Sequence, residues 1–208
     1  MPDASIVVAR PANAAQLVLL FHGVGSSAAN LVPLGEAIAQ ARPDAMVVSV
    51  DAPQASTLGS GREWFSVLGI TEASRPERIA QVMPLFLQTV ARWQQACGIG
   101  PEATVLVGFS QGAIMSLEAT QADATPAAAR VIALAGRFAQ PVRRAPPGVR
   151  FHFIHGDADQ VVAPQSSVEA AGALRRLGAD VRLDVLPGLG HGIDARALRL
   201  VLADLADR

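Results

Sequence analysis

The segment Gly108-Phe109-Ser110-Gln111-Gly112 sets a serine in surroundings that point to nucleophilic chemistry. A serine hydroxyl attacks a carbonyl carbon poorly at neutral pH, so it needs an imidazole to take its proton and a carboxylate to orient that imidazole. The glycines two positions before and after Ser110 are what a sharp strand-to-helix turn demands, because such a turn leaves no room for side chains there. The turn lifts the hydroxyl above the sheet edge. It also points the N-terminus of the next helix at the place where negative charge develops. The competing reading is a Gly-Ser turn without chemistry, and the presence or absence of partners decides between them.

In a strand-turn-helix context the partners are expected in the chain order serine, acid, histidine. Downstream of Ser110 lie His152, His155 and His191. His152 falls within the apolar run Phe151–Ile154 and His155 ends it, so both read as structural. His191 sits in Gly188-Leu-Gly190-His191-Gly192, a flexible turn after a strand-like run, and is the expected base. The acid comes from His155-Gly-Asp157-Ala-Asp159-Gln-Val161-Val162. Asp157 lies close to the strand end, where a short carboxylate serves as a loop staple, and Asp159 is the expected acid.

Acyl transfer turns the carbonyl oxygen into an anion that two fixed backbone N–H groups stabilise; losing one costs about 10²–10³ in rate. One donor is expected from Gln111, the residue after the nucleophile. The other is expected from His22-Gly23-Val24-Gly25-Ser26-Ser27, with Val24 as the assignment and Gly25 as the fallback. His22 reads as a hydrogen-bonding residue of that loop. Trp64 and Phe65 have two readings of equal weight, walls of a substrate-binding acyl pocket or a hydrophobic plug that anchors their loop.

Elements must carry these residues to one place. Leu17–Phe21, Met46–Val50, Thr104–Val107, Val131–Leu134, Phe151–Ile154 and Val181–Leu186 read as buried strands of a mainly parallel sheet, with Ser5–Ala9 as an antiparallel edge. Ile79, Val82, Met83, Phe86, Val90 and Trp93 share one helical face, as do Leu198, Val201, Leu202 and Leu205. Ser74 and Glu77 have the spacing of a capping box at the start of the first of these helices, and Pro84 is expected to kink it or begin a second segment. The pattern predicts an α/β fold with helices on both faces of the sheet. Residues 51–73 form the longest stretch without periodicity, a length usual for functional loops. Ala135 to Gly148 is too short and proline-rich to hold a lid domain, so the site is expected to be open on that side.

With 208 residues, half of them hydrophobic, the chain can bury one sizeable core, and a single domain over residues 1–208 is expected. A formal net charge of -1 without a basic block leaves no electrostatic footprint for nucleic acid or an anionic membrane surface. Arg143-Arg144 and Arg175-Arg176 read as solvated surface charges. The start, Met1 to Val8, does not read as a secretory signal, and no apolar run reaches membrane-spanning length. One cysteine, Cys97, excludes an internal disulfide and a thiolate-rich metal site and fits a reducing cytoplasm.

Taken together, Leu20-Phe-His-Gly-Val-Gly25, Trp64-Phe65, Gly108-Phe-Ser-Gln-Gly112, His155-Gly-Asp-Ala-Asp-Gln-Val-Val162 and Gly190-His191 resemble the phospholipase/carboxylesterase family of α/β-hydrolases, which includes acyl-protein thioesterases. The segments Gly61-Arg-Glu-Trp-Phe-Ser-Val-Leu-Gly-Ile-Thr71 and Gly108-Phe-Ser-Gln-Gly-Ala-Ile-Met115 are most similar to its small bacterial esterases. The resemblance implies an α/β-hydrolase fold without a lid domain, a Ser110, Asp159, His191 triad, and Val24 and Gln111 as oxyanion donors. It implies an enzyme that cleaves carboxylic esters; the expected substrates are small-molecule esters of small to medium acyl chains, the mechanism requires no cofactor or metal, and the lone cysteine fits a cytoplasmic location. A thioesterase or lysophospholipase using the same triad is the nearest alternative, and a non-catalytic binding protein on this scaffold is the one from another class. Relatives are often dimeric, which makes a homodimer an expectation by resemblance alone. Two departures, Ser26-Ser27 in the first loop and Pro164 one position late, separate the chain from the eukaryotic thioesterases.

Overall fold

The computed structural model describes residues 4–122 and 125–207; Met1 to Asp3, part of the start read above, lie outside the described residues. In chain order the elements are β1 (Ile6–Ala9), β2 (Gln16–Phe21), α1 (Val32–Ala41), β3 (Ala45–Val50), β4 (Gln54–Ala55), β5 (Arg62–Glu63), α2 (Arg75–Cys97), β6 (Thr104–Phe109), α3 (Gln111–Ala122), β7 (Arg130–Leu134), β8 (Arg150–Gly156), α4 (Gln165–Arg176), β9 (Asp180–Leu186) and α5 (Ala195–Ala206). Among the described residues the central sheet runs β1-β3-β2-β6-β7-β8-β9, parallel except for β1, which pairs antiparallel with β3. The expected strands and the expected antiparallel edge are present, each within two residues of its predicted bounds at either end.

Alternation along β2 shows how the sheet feeds two cores. Leu17, Leu19 and Phe21 point to a cluster completed by Phe86 of α2, Met115 of α3 and Leu174 of α4. Val18 and Leu20 point to the other side, where Ile38 of α1 and Val201 of α5 complete a second cluster. The result is three layers, with α1 and α5 on one face and α2, α3 and α4 on the other. Helix α3 is buried along nearly its whole length because α2 covers its outer side.

Two local expectations are corrected. Of the kink or restart expected at Pro84 the restart does not occur, helix α2 being one continuous element there. The bond that proline forfeits is the one to the carbonyl of Ala80, a residue exposed to water that can solvate it. No capping box forms: Ser74 makes no side-chain cap and instead exchanges hydrogen bonds with Thr71, accepting from its N–H at 3.0 Å and donating its own N–H to the Thr71 hydroxyl at 3.1 Å. Arg143 lies at the surface as expected and Arg144 is partly buried, and each also takes a partner: Arg143 pairs with the buried carboxylate of Glu118 at 3.3 Å and Arg144 donates to the Thr120 carbonyl at 3.1 Å. Both thereby dock the segment after β7 onto α3.

What this topology does for function lies at β2. The chain passes from β2 outward to β3 and later returns to β6 on the opposite side of β2, so the strand order reverses there. In open α/β sheets the carboxyl ends flanking such a reversal form the ligand crevice. The loops that leave β2 and β6 begin with His22 and Ser110.

Candidate active site

Ser110 occupies the turn between β6 and α3 with φ +52°, a left-handed conformation that a residue with a Cβ adopts only when its surroundings enforce it. Those surroundings are specific. A Cβ on Gly108 would lie 2.4 Å from the Ala113 nitrogen, and one on Gly112 would lie 2.1 Å from the Phe21 carbonyl oxygen. Neither place tolerates a side chain. The Ser110 N–H donates to the Leu134 carbonyl at 2.9 Å, and the next residue, Ala135, also has positive φ. The strained elbow is thus pinned to the end of β7.

His191, on the loop between β9 and α5, brings Nε2 to 2.9 Å from Ser110 Oγ and Nδ1 to 2.7 Å from Asp159 Oδ2. With Nδ1–H donated to a carboxylate, Nε2 is left to accept the serine proton. The imidazole stacks at a tilt on Phe109, with ring centroids 5.0 Å apart, and is 18% exposed. The Asp159 side chain has no exposed surface. Its other oxygen, Oδ1, accepts the N–H groups of Val161 at 2.8 Å and Val162 at 3.0 Å. Burial works against its ionised form, but the bond from His191, the two backbone N–H bonds and the attraction of the His191 charge outweigh it. The carboxyl is held below the ordinary aspartate range.

Asp159 and His191 are 32 positions apart, and their loops are stitched together. The Ala158 N–H donates to the Leu189 carbonyl at 3.0 Å, and the Gly188 N–H donates to the carboxylate of Asp157 at 2.6 Å. Asp157 therefore bridges the acid loop and the base loop. Gly156 permits this approach, since a Cβ there would stand 2.0 Å from the Leu189 carbonyl oxygen. Asp194 caps α5 by accepting from the N–H groups of Arg196 and Ala197, which fixes the far end of the base loop.

One neighbour of the acid was not assigned a part in the site from the sequence. His155 Nε2 lies 3.1 Å from Asp159 Oδ2 and 3.0 Å from the Val162 carbonyl, and its Nδ1 lies 2.7 Å from the Ser167 hydroxyl. Two acceptors facing one ring nitrogen place a proton on Nε2. His155 thus holds the carboxylate from the side opposite His191. The four-residue spacing of His155 and Asp159 across a strand-end turn is the signal that carried this. His22 behaves as a loop residue: Nδ1 approaches the Gly23 carbonyl at 2.7 Å, and Nε2 approaches Asp51 and accepts the Ala52 N–H, both at 3.2 Å.

Loop geometry also separates the two candidates for the second oxyanion donor. Gly23 lies against the nucleophile, where an added Cβ would be 3.2 Å from that of Ser110. The Gly25 N–H is engaged by the Arg62 carbonyl at 3.0 Å, whereas among the described residues the Val24 N–H has no such engagement. At the start of α3 the Gln111 N–H belongs to the first turn, where helical N–H groups lack an intrahelical partner.

Trp64 and Phe65, expected as pocket walls or as a plug, are 1% and 3% exposed. Trp64 packs edge-on against Phe86 with centroids 4.9 Å apart and against Phe21 at 6.1 Å. Neither side chain offers a surface to a ligand. The pocket-wall expectation is corrected to the plug, because the largest apolar side chain in the loop is worth most where it is fully removed from water. Among the described residues no group of three or more His, Cys, Asp or Glu is arranged to hold a metal ion, and no helix is long and apolar enough to cross a membrane.

The phospholipase/carboxylesterase family model matches residues 2–206. The chain is 45% identical over 192 residues to the esterase YpfH of Escherichia coli (strain K12), covering 92% of this chain and 82% of that one. It is 27% identical over 189 residues to acyl-protein thioesterase 1 homolog 1 of Dictyostelium discoideum, covering 84% and 82%. The crystal structure of esterase PE8 superposes with a TM-score of 0.88 at 32% identity over 99% of this chain and 97% of that one.

Proposed function

The chain belongs to the phospholipase/carboxylesterase family of α/β-hydrolases, and on that premise we propose that it is a serine carboxylesterase working through Ser110, His191 and Asp159. One observation carries the reading: a continuous line of hydrogen bonds from the Ser110 hydroxyl through both nitrogens of His191 to a buried, ionised carboxylate. An unbroken relay of this kind is needed for nucleophilic attack and has no use in a binding protein.

In the proposed cycle, Ser110 Oγ attacks the acyl carbonyl carbon while His191 Nε2 takes the hydroxyl proton. The carbonyl oxygen becomes an anion between the N–H groups of Val24 and Gln111. The intermediate collapses, the C–O bond to the alcohol breaks, and His191 returns the proton to the leaving oxygen. Water then repeats the sequence on the acyl-enzyme: His191 takes its proton, hydroxide adds to the acyl carbon, and Ser110 leaves as the alcohol while the acid is released. Asp159 stays ionised throughout, keeping Nδ1–H in place and stabilising the imidazolium.

The substrate class in this reading is a small-molecule ester of small to medium acyl chain, and the likeness to an esterase supports the ester bond. A thioester would pass through the same steps, and the likeness to an acyl-protein thioesterase homologue supports that second reading. A single cysteine without a disulfide partner supports a cytoplasmic enzyme. The test is Ser110→Ala against p-nitrophenyl butyrate, with circular dichroism to verify the fold. The reading requires hydrolysis to fall to the uncatalysed background, and a folded Ser110→Ala protein turning over at the parent rate overturns it.

A further inference from the structure

Gln111 uses its side chain as well as its backbone. The carboxamide is buried, 2% exposed, and pairs with two consecutive backbone groups of the long loop: Oε1 accepts the Trp64 N–H at 2.7 Å and Nε2 donates to the Phe65 carbonyl at 2.8 Å. Two residues earlier the same loop pairs with the other side of the site. The Arg62 carbonyl accepts the Gly25 N–H at 3.0 Å, and the Arg62 N–H donates to the Ser26 carbonyl at 2.7 Å, forming an antiparallel bridge. Arg62 is itself tied down, its guanidinium donating to the carbonyls of Ala52 at 2.9 Å and Pro53 at 2.7 Å.

Followed in order, these bonds close a ring with the pairing of β2 and β6 at Phe21 and Gly108, from which both loops depart. It runs from Val24 and Gly25 across the bridge to Arg62, along the chain to Trp64 and Phe65, through the Gln111 carboxamide, and back to the Gln111 backbone. We propose that this ring is a brace that fixes the separation of the Val24 and Gln111 N–H groups, with the Gln111 side chain as its positioning residue. Oxyanion donors act only within a few tenths of an ångström of their ideal distance, and a displacement of about 1 Å costs about 100-fold. The buried Trp64 ring anchors the brace to the core. Residues 51–73 then serve the oxyanion hole rather than forming a substrate wall, which gives the long loop its purpose.

The proposal rests on the serine esterase reading, and two variants strike the brace from opposite ends. Gln111→Leu deletes both side-chain bonds without touching the backbone donor. Gly61→Ala acts at the bridge, where the new Cβ would stand 2.1 Å from the Gly25 carbonyl oxygen and force the strands apart. With p-nitrophenyl butyrate each is expected to lower kcat by ~10–100-fold, with KM within about threefold of the parent. A trifluoromethyl ketone, which forms a hemiketal oxyanion on the serine, should lose affinity by the same factor as kcat. The double variant should lose less than the product of the single effects, and Gln111→Asn, which keeps a carboxamide one methylene short, should fall between parent and Gln111→Leu.

Folded single variants with kcat within threefold of the parent, or with unchanged fluoroketone affinity, overturn the brace. If Gln111→Leu does not fold, Gly61→Ala decides alone. Fluorophosphonate labelling of the parent at Ser110 keeps the two failures apart. An unlabelled parent sinks the esterase reading, whereas a labelled parent with indifferent brace variants sinks only the brace.

Discussion

Replacing Asp159 by asparagine is informative because the structure dictates which way the new amide must face. Oδ1 receives the N–H groups of Val161 and Val162 at 2.8 and 3.0 Å, so an amide NH₂ cannot sit there without opposing two donors. The carbonyl oxygen stays at that position and the NH₂ takes the place of Oδ2, 2.7 Å from His191 Nδ1. His191 must then accept at Nδ1 and carry its proton on Nε2, which points at Ser110 Oγ. In that tautomer it cannot take the serine proton. His155 can adjust, since its Nδ1 faces the Ser167 hydroxyl and that hydroxyl has the Gly136 carbonyl at 3.2 Å as an alternative acceptor. The fold should survive with a loss of about 1–3 kcal/mol from the missing charge-assisted bonds, while a wrong tautomer costs about 10⁴ in kcat, or about 5 kcal/mol of barrier. Steady-state hydrolysis of p-nitrophenyl butyrate alongside thermal unfolding separates the two effects. A folded Asp159→Asn protein retaining more than about one tenth of the parent kcat refutes the tautomer argument.

Three further outcomes are expected. His155→Gln should lower kcat about tenfold with KM unchanged, because Asp159 keeps its backbone donors and loses one of two imidazole partners; an effect as large as that of Asp159→Asn contradicts the lesser part given to His155. Trp64→Ala should cost about 3–5 kcal/mol in denaturant unfolding and leave the preference among acetyl, butyryl and octanoyl esters unaltered, and a shifted preference at unchanged stability would restore the pocket-wall reading. The Asp159 carboxyl is held below its unfolded value near 3.8, so its contribution to stability is complete above that pH and is lost as pH falls through the lower folded value. The stability difference between parent and Asp159→Asn should therefore shrink as pH falls below about 4 and the carboxylate takes up its proton; a difference that keeps growing below that pH has the wrong sign.

Strands buried on both faces announce themselves as unbroken apolar runs, which is why β2, β3, β6, β7 and β8 were legible almost to the residue. The elbow was legible for a steric reason, since only glycine fits where Gly108 and Gly112 stand. Less legible were features decided by tertiary contact. The hairpin of β4 and β5 has two residues per strand, too few for any periodicity. The Ser74 and Glu77 spacing suited a capping box, but Thr71 competes for the same hydroxyl. Trp64 and Phe65 have the same chemistry whether they line a pocket or plug a core, and only the position of Phe21 and Phe86 decides it. The backbone partners of the Gln111 carboxamide lie far along the chain with no motif to mark them, and the second partner of Asp159 is marked only by the four-residue spacing of His155 across a turn.

On this mechanism one hydroxyl in the chain is activated by the imidazole it faces. Intact-mass spectrometry after brief exposure to a fluorophosphonate, with peptide mapping of the product, measures it directly. One adduct per chain on Ser110 is predicted, formed at least a hundredfold more slowly in a folded His191→Ala protein. Adducts on other serines, or a His191→Ala protein labelled at Ser110 as fast as the parent, would rule out activation of Ser110 by His191.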